Sequence, residues 1–536
     1  MDNIVFLIFR RMRRPLMTLL VVYSIAILVL TLIPGQDANG NVHYMDFFHA
    51  TYFVSFMATT IGFGEIPFEF TDAQRIWVIF SMYTGVISWL YAIGTILTLV
   101  QDKTFQHALS ENKLAKKIRS MREPFYLVCG YGETGSALVR GLTDAGQHVV
   151  VIEIDENRRN MIRIDNLRDF VPSLHGDAQK TLHLQEAGLQ HSLCKAVVAV
   201  TNVNEANLKI ALTSKLLHPH IKVICRADSH DVENNMASFG TDHIIDPYDT
   251  FATSLATAFQ VPCLYLLQSW LFSANDEIEL DEPVYPPKQK HWVICGYGRF
   301  GKAVYERLIK EGMEVVVIES YPSSTGEPVE GIVMGRGTEA NTLSEANIEQ
   351  ACGLIAGTDN DANNLSMVVT AREMNPNLFI IVRQNHSDNS AIIEAVKADM
   401  VMHPSKIIAD KIRVLLSTPL LYQFVSLAYY QDNNWACELV SRITALVGHQ
   451  VPNLTEITID KNEAQAVVDV LEHGETVKLA DLQRDPWKRR DCLKCIVLMI
   501  ECHNDLLLLP GSETKINVGD RLLVCAGERG FTRLRW

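Results

Sequence analysis

The chain has 536 residues, 48% of them hydrophobic, with a mean hydropathy of +0.07 and a formal charge of −14. That length holds three or four domains, and the acidic balance excludes a general nucleic-acid binder, which needs a basic face to meet phosphates. All 11 cysteines lie at or after Cys129, many inside apolar runs, so free thiols of a reducing compartment are expected rather than a disulfide framework.

Residues 1–102 read as a membrane domain. Arg10, Arg11, Arg13 and Arg14 precede Pro15 and an apolar run over 16–33. At 1.5 Å per residue that run reaches about 27 Å, enough for a bilayer core of about 30 Å. A cleavable leader is disfavoured, because Pro34-Gly35-Gln36 follows in place of a small-residue cleavage site. The second apolar run covers 76–100 and closes at Gln101-Asp102-Lys103. Lys103, Lys113, Lys116, Lys117, Arg119 and Arg122 follow it, whereas the loop from Pro34 to Asp72 carries no Lys or Arg. Both termini are therefore expected on the cytoplasmic side. The outer loop instead holds Asp37, Asp46, Glu65, Glu69 and Asp72, either a cation-attracting mouth or ordinary solvated acids.

Between the spans, Asp46 to Thr59 predicts a short helix crowded with Phe47, His49, Tyr52, Phe53 and Phe56. A re-entrant helix is tolerated at membrane depth only inside protein, and its C-terminal dipole favours a cation. Tyr52 and Phe53 are expected to form a cuff around the strip Thr59-Thr60-Ile61-Gly62-Phe63-Gly64-Glu65 that follows. Gly62 and Gly64 accept backbone angles that other residues avoid, so the strip can turn its carbonyls to a shared axis. Gly85 lies mid-way along the second span and is expected to be a hinge, with close helix packing and Gly94 as the competing explanations. No arginine ladder is present, so intrinsic voltage sensing is not expected.

This strip resembles the potassium-channel selectivity filter, with Ile61, Phe63 and Glu65 as the departures. The resemblance implies that Thr60, Ile61, Gly62, Phe63 and Gly64 replace the hydration shell of K⁺, that four chains close one pore, and that Phe63 offers no hydroxyl to brace it.

A polar, basic connector over 103–123 leads to an internal repeat. Phe125 to Cys129 predicts a buried strand, followed by Gly130-Tyr131-Gly132-Glu133-Thr134-Gly135, a helix, and a strand ending in Glu153. Trp292 to Cys295, Gly296-Tyr297-Gly298-Arg299-Phe300-Gly301, a helix and a strand ending in Glu319 repeat it at an offset of 166. Such glycines make a tight turn, admit a pyrophosphate and let helix and strand pack closely, and the helix N-terminus supplies amide donors. Each Glu stands 18 residues after the third Gly, where a carboxylate holds ribose hydroxyls and disfavours a 2′-phosphate. NAD(H) or an adenine nucleotide is the expected ligand, with Arg158 and Arg159 a complication in the first copy.

The two copies resemble tandem RCK (KTN, TrkA-N) domains, which regulate K⁺ conductance. The supporting runs are Gly176-Asp177-Ala178 and Val200-Thr201-Asn202 in the first copy, Gly335-Arg336-Gly337-Thr338 and Gly357-Thr358-Asp359 in the second. The resemblance implies that Asp177 approaches the adenosine, that Arg226 and Arg383 compare with phosphate-facing arginines, and that Tyr248–Ser273 and Ser405–Tyr430 are crossing, interlocking helices. Residues from about His449 onward resemble a TrkA-C ligand-sensing subdomain. A calcium site of the kind found in one relative is not expected, because Arg226 stands where an acid is needed, with Asp228 at the other matched position. Cys492, Cys495, Cys502 and His503 are weighed as a metal cluster and judged better as ordinary buried cysteines.

The expected fold is multidomain: an all-α pore with two spanning helices and a re-entrant helix, then two α/β Rossmann-type domains and a small C-terminal α+β subdomain. The boundaries are 1–102 for the pore (span 16–33, pore helix and filter 46–65, span 76–100), 103–123 for the connector and 124–280 for the first RCK domain. A linker over 281–290, the second lobe with its crossing helices over 291–445 and the C-terminal subdomain over 446–536 complete it. The expected function is a K⁺-selective, ligand-gated homotetramer in a prokaryotic cell membrane. Its ligand is NAD(H) or an adenine nucleotide, with a divalent cation left open, and it is not an enzyme. The alternatives are a weakly selective cation channel and a membrane-tethered NAD-dependent oxidoreductase.

Overall fold

The computed structural model describes residues 2–37, 39–66, 68–102, 114–273, 280, 282–288, 291–325, 331–485, 488, 491–503 and 505–527. Most of the connector (103–113), the acidic part of the linker (274–279 and 281, which includes Glu277, Glu279 and Asp281), residues 289–290 and the end of the chain (528–536) lie outside them. The chain divides into two units, Met1–Lys117 and Ile118–Trp536.

In the first unit α1 (Asp2–Leu32) begins well before the expected span and carries Pro15 inside it. Its stretch Met12–Leu32 and the whole of α3 (Asp72–Gln101) are long and apolar enough to cross a membrane. Pro15 lies at the junction of the basic and apolar segments, and the helix runs through it, so a residue that ordinarily kinks or breaks a helix does not end this one. Between the two spans lies α2 (Phe47–Ala58), whose N-cap Asp46 accepts the amide of His49 at 2.8 Å. Ala26 and Leu30 of α1 pack with Ala50, Phe53, Val54 and Phe56 of α2, and the Trp77 indole donates to the Ala26 carbonyl at 3.2 Å. Leu20, Leu28, Ile79, Phe80 and Leu90 are exposed around the bundle, an apolar surface suited to lipid and to sister chains.

The second unit contains two six-stranded parallel sheets. The first has β1 (Phe125–Cys129), β2 (His148–Glu153), β3 (Ser173–His175), β4 (Cys194–Ala199), β5 (Lys222–Arg226) and β6 (His243–Ile245) in the order 3-2-1-4-5-6. The second repeats it with β7 (His291–Cys295), β8 (Glu314–Glu319), β9 (Ile332–Met334), β10 (Gly353–Ala356), β11 (Phe379–Arg383) and β12 (Met400–Met402). The central strands β1 and β7 are buried almost throughout, as parallel strands covered on both faces must be. Both sheets reverse strand order beside the first strand, the place where dinucleotide folds bind ligand.

Each lobe is followed by two helices broken at a proline: α6 (Pro247–Gln260) and α7 (Pro262–Leu271), then α10 (Pro404–Ser417) and α11 (Pro419–Ala428). Here α4 (Glu133–Asp144) and α5 (Asn204–Leu217) belong to the first lobe, α8 (Arg299–Lys310) and α9 (Asp361–Met374) to the second. The lobes exchange their trailing helices. Ile408, Ala409, Ile412 and Leu415 of α10 lie in the core of the first lobe, and Phe251, Ala252, Leu255 and Phe259 of α6 lie in the core of the second. α7, α11 and α12 (Asn433–Val447) form a further core with Leu498, Met499 and Leu523 of the C-terminal sheet. That sheet is four-stranded and antiparallel, made of β13 (Asn453–Thr458), β14 (Cys495–Cys502), β15 (Asp505–Leu508) and β16 (Arg521–Ala526).

The expectation of uniformly free cysteines is corrected by one pair. Cys263 on α7 and Cys437 on α12 form a disulfide with their Cα atoms 5.1 Å apart. Packing α7 on α12 closes a separation of 174 residues that no local pattern announces. Nine cysteines are free, most of them buried in strands.

Candidate functional site: filter strip and paired nucleotide clefts

Where α2 ends, Thr59 returns its amide to Ser55 O at 3.2 Å, and the amides of Ile61 and Gly62 fold back to Phe56 O. Beyond that point Thr60, Gly62 and Gly64 have φ of 62°, 64° and 75°, whereas Ile61 and Phe63 do not enter the left-handed region. Alternating hands turn successive carbonyls toward one side of the strip. Glycine tolerates this geometry, but Thr60 pays a strain of about 1–3 kcal/mol for it, which is typical of functional backbone. A side chain at Gly62 or Gly64 would meet no neighbour among the described residues, so conformation rather than space demands glycine there.

Of the two expected cuff residues, Tyr52 reaches the strip and Phe53 does not. Tyr52 donates its hydroxyl to Glu65 Oε2 at 3.0 Å, while buried Phe53 packs edge-on against Phe56 and Phe70. Phe63 lies edge-on to Phe56 with ring centres 6.2 Å apart. The hydroxyl contact to the strip is thus made at Glu65, two residues after Phe63. Gly85 is buried in an unbroken α3, and a Cβ there would stand 3.1 Å from that of Ala58; around Gly94 there is open space.

In both lobes the glycine loop forms as its spacing predicts. Gly130 and Gly296 have φ of 104° and 96°, and a Cβ on Gly135 or Gly301 would lie 2.1 or 1.9 Å from the carbonyl oxygen of the loop's first glycine. Gly132 and Gly298 cap α4 and α8, whose N-termini open into the clefts. Glu153 accepts the amides of Tyr131 (2.5 Å) and Asp155 (2.8 Å); Glu319 accepts those of Tyr297 (2.6 Å) and Tyr321 (2.9 Å). Both carboxylates are buried yet line their clefts, with lone pairs left for ribose hydroxyls.

The first cleft, about 210 Å³, brings together Gly130, Gly132, Glu153 and Asp177. The second, about 740 Å³, brings together Gly296, Gly298 and Glu319. Gly135 and Gly301 sit behind these loops, against strand and loop backbone, as packing glycines. The cradle a Cβ would fill, the free helix N-terminus and the buried acid fit a bound nucleotide in both lobes.

Two further groups escaped sequence reasoning. Asn207 on α5 accepts from the amide and hydroxyl of Thr201 (3.0 and 2.7 Å) and donates to the carbonyls of Thr201 and Arg226 (2.9 and 3.0 Å). Asn364 on α9 makes the same bonds to Thr358 and Arg383, so each Asn ties the loop after the fourth strand to the end of the fifth. The repetition of Thr-x5-Asn in both copies was the available signal. The lobes also touch through their glycine loops. Arg299 donates to Asp228 at 3.2 Å, and Glu133 accepts from His386 and Ser387. Asp228 faces two guanidinium groups, since Arg226 also donates to it at 2.9 and 3.3 Å.

Cys492, Cys495, Cys502 and His503 are not drawn into a cluster, and among the described residues no group of three or more His, Cys, Asp and Glu could hold a metal.

Residues 16–102 match the ion channel family model, and residues 126–247 and 292–404 each match the TrkA-N domain model. Fold and site therefore define a membrane protein that joins an ion-channel segment to tandem TrkA-N domains. In particular, the chain is 24% identical over 268 residues to potassium channel protein 1 of Methanocaldococcus jannaschii, a match covering 50% of this chain and 78% of that one. It is 32% identical over 120 residues to probable potassium channel protein 2 of the same organism, covering 21% of this chain and 35% of that one. The chain thus spans about a third of the length of that second relative. Among solved structures, the GsuK channel bound to NAD matches over 99% of this chain and 98% of its own, with a TM-score of 0.48 and 15% identity.

Proposed function

We propose that this chain forms a K⁺-selective homotetrameric channel in a prokaryotic cell membrane, with both termini cytoplasmic, gated by NAD(H) or an adenine nucleotide bound at its Rossmann lobes. The observation that carries the reading is the alternation of left-handed backbone at Thr60, Gly62 and Gly64 in a strip between two spanning helices. Carbonyls turned to one side replace the water of an alkali cation once several copies surround an axis. One strip per chain calls for several chains, and the exposed apolar faces of α1 and α3 supply surfaces for them. The ion channel model over the pore segment and the potassium-channel relatives support the choice of ion.

In the proposed mechanism the pore residues Thr60, Ile61, Gly62, Phe63 and Gly64 conduct. The clefts at Gly130, Gly132, Glu153 and Asp177, and at Gly296, Gly298 and Glu319, bind the regulator, with Gly135 and Gly301 holding each loop against its helix. Ligand changes the spacing of the lobes, the connector transmits the change, and α3 bends at Gly85. The shift available equals the ligand's difference in affinity for open and closed forms. A regulatory rather than catalytic role suits lobes whose spare helices are used to interlock with each other.

The test is K⁺ flux from liposomes holding the purified full-length protein, with reversal potentials in mixed K⁺ and Na⁺. A strong K⁺ preference altered by NAD⁺, NADH, ADP or ATP is expected. A reversal potential near zero under K⁺/Na⁺ exchange would instead establish a weakly selective pore, and vesicles tight to K⁺ under every nucleotide would overturn the channel reading. Gly62→Ala is expected to abolish selective flux while leaving nucleotide binding intact.

A further inference from the structure

The two clefts share one backbone and differ in charge. At the position following the glycine after the third strand, the first lobe has Asp177 and the second has Arg336. The charged residues lining the first cleft are Arg158 against Glu153 and Asp177; those lining the second are Arg299, Arg336 and Arg383 against Glu319 and Asp359. Among the described lining residues the first cleft is net acidic and the second is not, even with Arg299 set against Asp228, to which it donates at 3.2 Å.

The arginines that end the fifth strands differ in the same sense. Arg226 is neutralised within its own lobe, held by both oxygens of Asp228 and by Asn202 Oδ1 at 3.2 Å. In the second lobe the counterpart of Asp228 is Asn385, whose side chain turns to Thr358 O and Asp361. Arg383 is left without that carboxylate. One of its terminal nitrogens donates to Gly357 O at 3.3 Å, its guanidinium stands 4.5 Å from the centre of the Phe300 ring, and its buried Nε has no acceptor among the described residues. Burial disfavours the charged form of Arg383, so an anion placed beside it restores what desolvation removes. Size points the same way: about 740 Å³ falls within the range of about 300–1,000 Å³ usual for small-molecule sites, and about 210 Å³ falls below it.

We propose that the second lobe is the site for a nucleoside diphosphate or triphosphate, selected by Arg336 and Arg383, and that the first lobe excludes such polyphosphates. This rests on the reading of the lobes as nucleotide sites and adds which copy takes which charge. Glu319 holds the ribose end while the guanidinium groups meet the phosphates; charge-assisted bonds of that kind are about twice as strong as neutral ones. In the first lobe Asp177 stands where the second lobe offers Arg336 and repels the same phosphates, and the guanidinium that ends its fifth strand is already paired.

The test is titration calorimetry of the full-length tetramer in detergent with ADP, and separately with ATP and NAD⁺. One ADP per chain is expected, with affinity falling as salt rises. Arg383→Gln and Arg336→Asp are each expected to weaken ADP about tenfold to a hundredfold, with thermal unfolding recorded to show that each variant is folded. Because either substitution could disturb the lobe, the reciprocal change is the second arm: Asp177→Arg is expected to raise ADP binding toward two per chain. Two equivalent ADP sites in the unaltered protein, or ADP affinity unmoved by both arginine changes in folded protein, would overturn the assignment while leaving nucleotide gating standing. Absence of heat with ADP, ATP and NAD⁺ alike would overturn both.

Discussion

Thr201 with Asn207 in the first lobe and Thr358 with Asn364 in the second make the same set of hydrogen bonds to within about a tenth of an ångström. The glycine loops and the paired amides on Glu153 and Glu319 repeat as closely. The charged side chains around these frames do not repeat: where the first lobe has Glu133, Asp177 and Asp228, the matching positions of the second hold Arg299, Arg336 and Asn385. What builds the cleft has been kept in both lobes, because a wrong atom there collides with backbone or strands a buried polar group. What meets a ligand has diverged: at Glu133/Arg299 and Asp177/Arg336 a solvated charge changes sign at little cost to the fold, whereas buried Asp228 brings its own arginine partners.

The largest effect expected from probing this comparison is at the third glycine of each loop. Gly135→Val and Gly301→Val put carbon within about 2 Å of a carbonyl oxygen, and each is expected to destabilise its lobe by about 3 kcal/mol or more. Thermal unfolding measures it, and a silent variant in either lobe would break the claim that the frames are equivalent. Asn207→Ala and Asn364→Ala come next. Each removes several buried hydrogen bonds and is expected to cost about 2–3 kcal/mol, by the same amount in both lobes; unequal losses would show that one latch carries more than its lobe.

Asp410, on the helix α10 lent to the first lobe, has its carboxyl pushed up to about 6 by burial, against the lowering effect of Arg413 and Lys406. A folded-state value above the unfolded one means that native protein holds the proton more tightly, so this group's contribution to stability falls as pH rises from about 4 to about 6. Asp410→Asn removes that dependence. Relative to the unaltered protein, the variant is expected to be more stable at pH 7 than at pH 4.5 by about 2 kcal/mol; parallel stability profiles would show that Asp410 is not the titrating group. The smallest effect expected is on ligand response: Asp228→Asn gives Arg226 the unpaired state of Arg383 and is expected to make the melting temperature of the first lobe respond to added pyrophosphate, sharpening the contrast between the clefts if it does and blunting it if it does not.

Much of the frame was legible before any coordinates. Gly130 to Glu153 and Gly296 to Glu319 stand in register 166 residues apart, and a strand, glycine turn and helix are set by residues close in the chain. The filter strip was legible for the same reason, although the positive φ of Thr60 was not, since β-branched residues ordinarily avoid it. Tyr52 and Phe53 were indistinguishable as cuff residues until the turn of α2 put one toward Glu65 and the other into the aromatic core.

By itself, then, the order of residues determined the two apolar spans, the filter strip, the duplicated parallel sheets and the acids at their second strands, because periodicity and glycine spacing act over a few residues. Only tertiary structure decided that α6 and α10 change places between lobes, that Cys263 meets Cys437, and that Asp228 sits between Arg226 and Arg299. Cys263 and Cys437 are 174 residues apart, and the exchanged helices and Arg299 come from the opposite lobe. What joins them is the burial of apolar faces against one another, a force without direction that fixes pairs only once whole elements have packed.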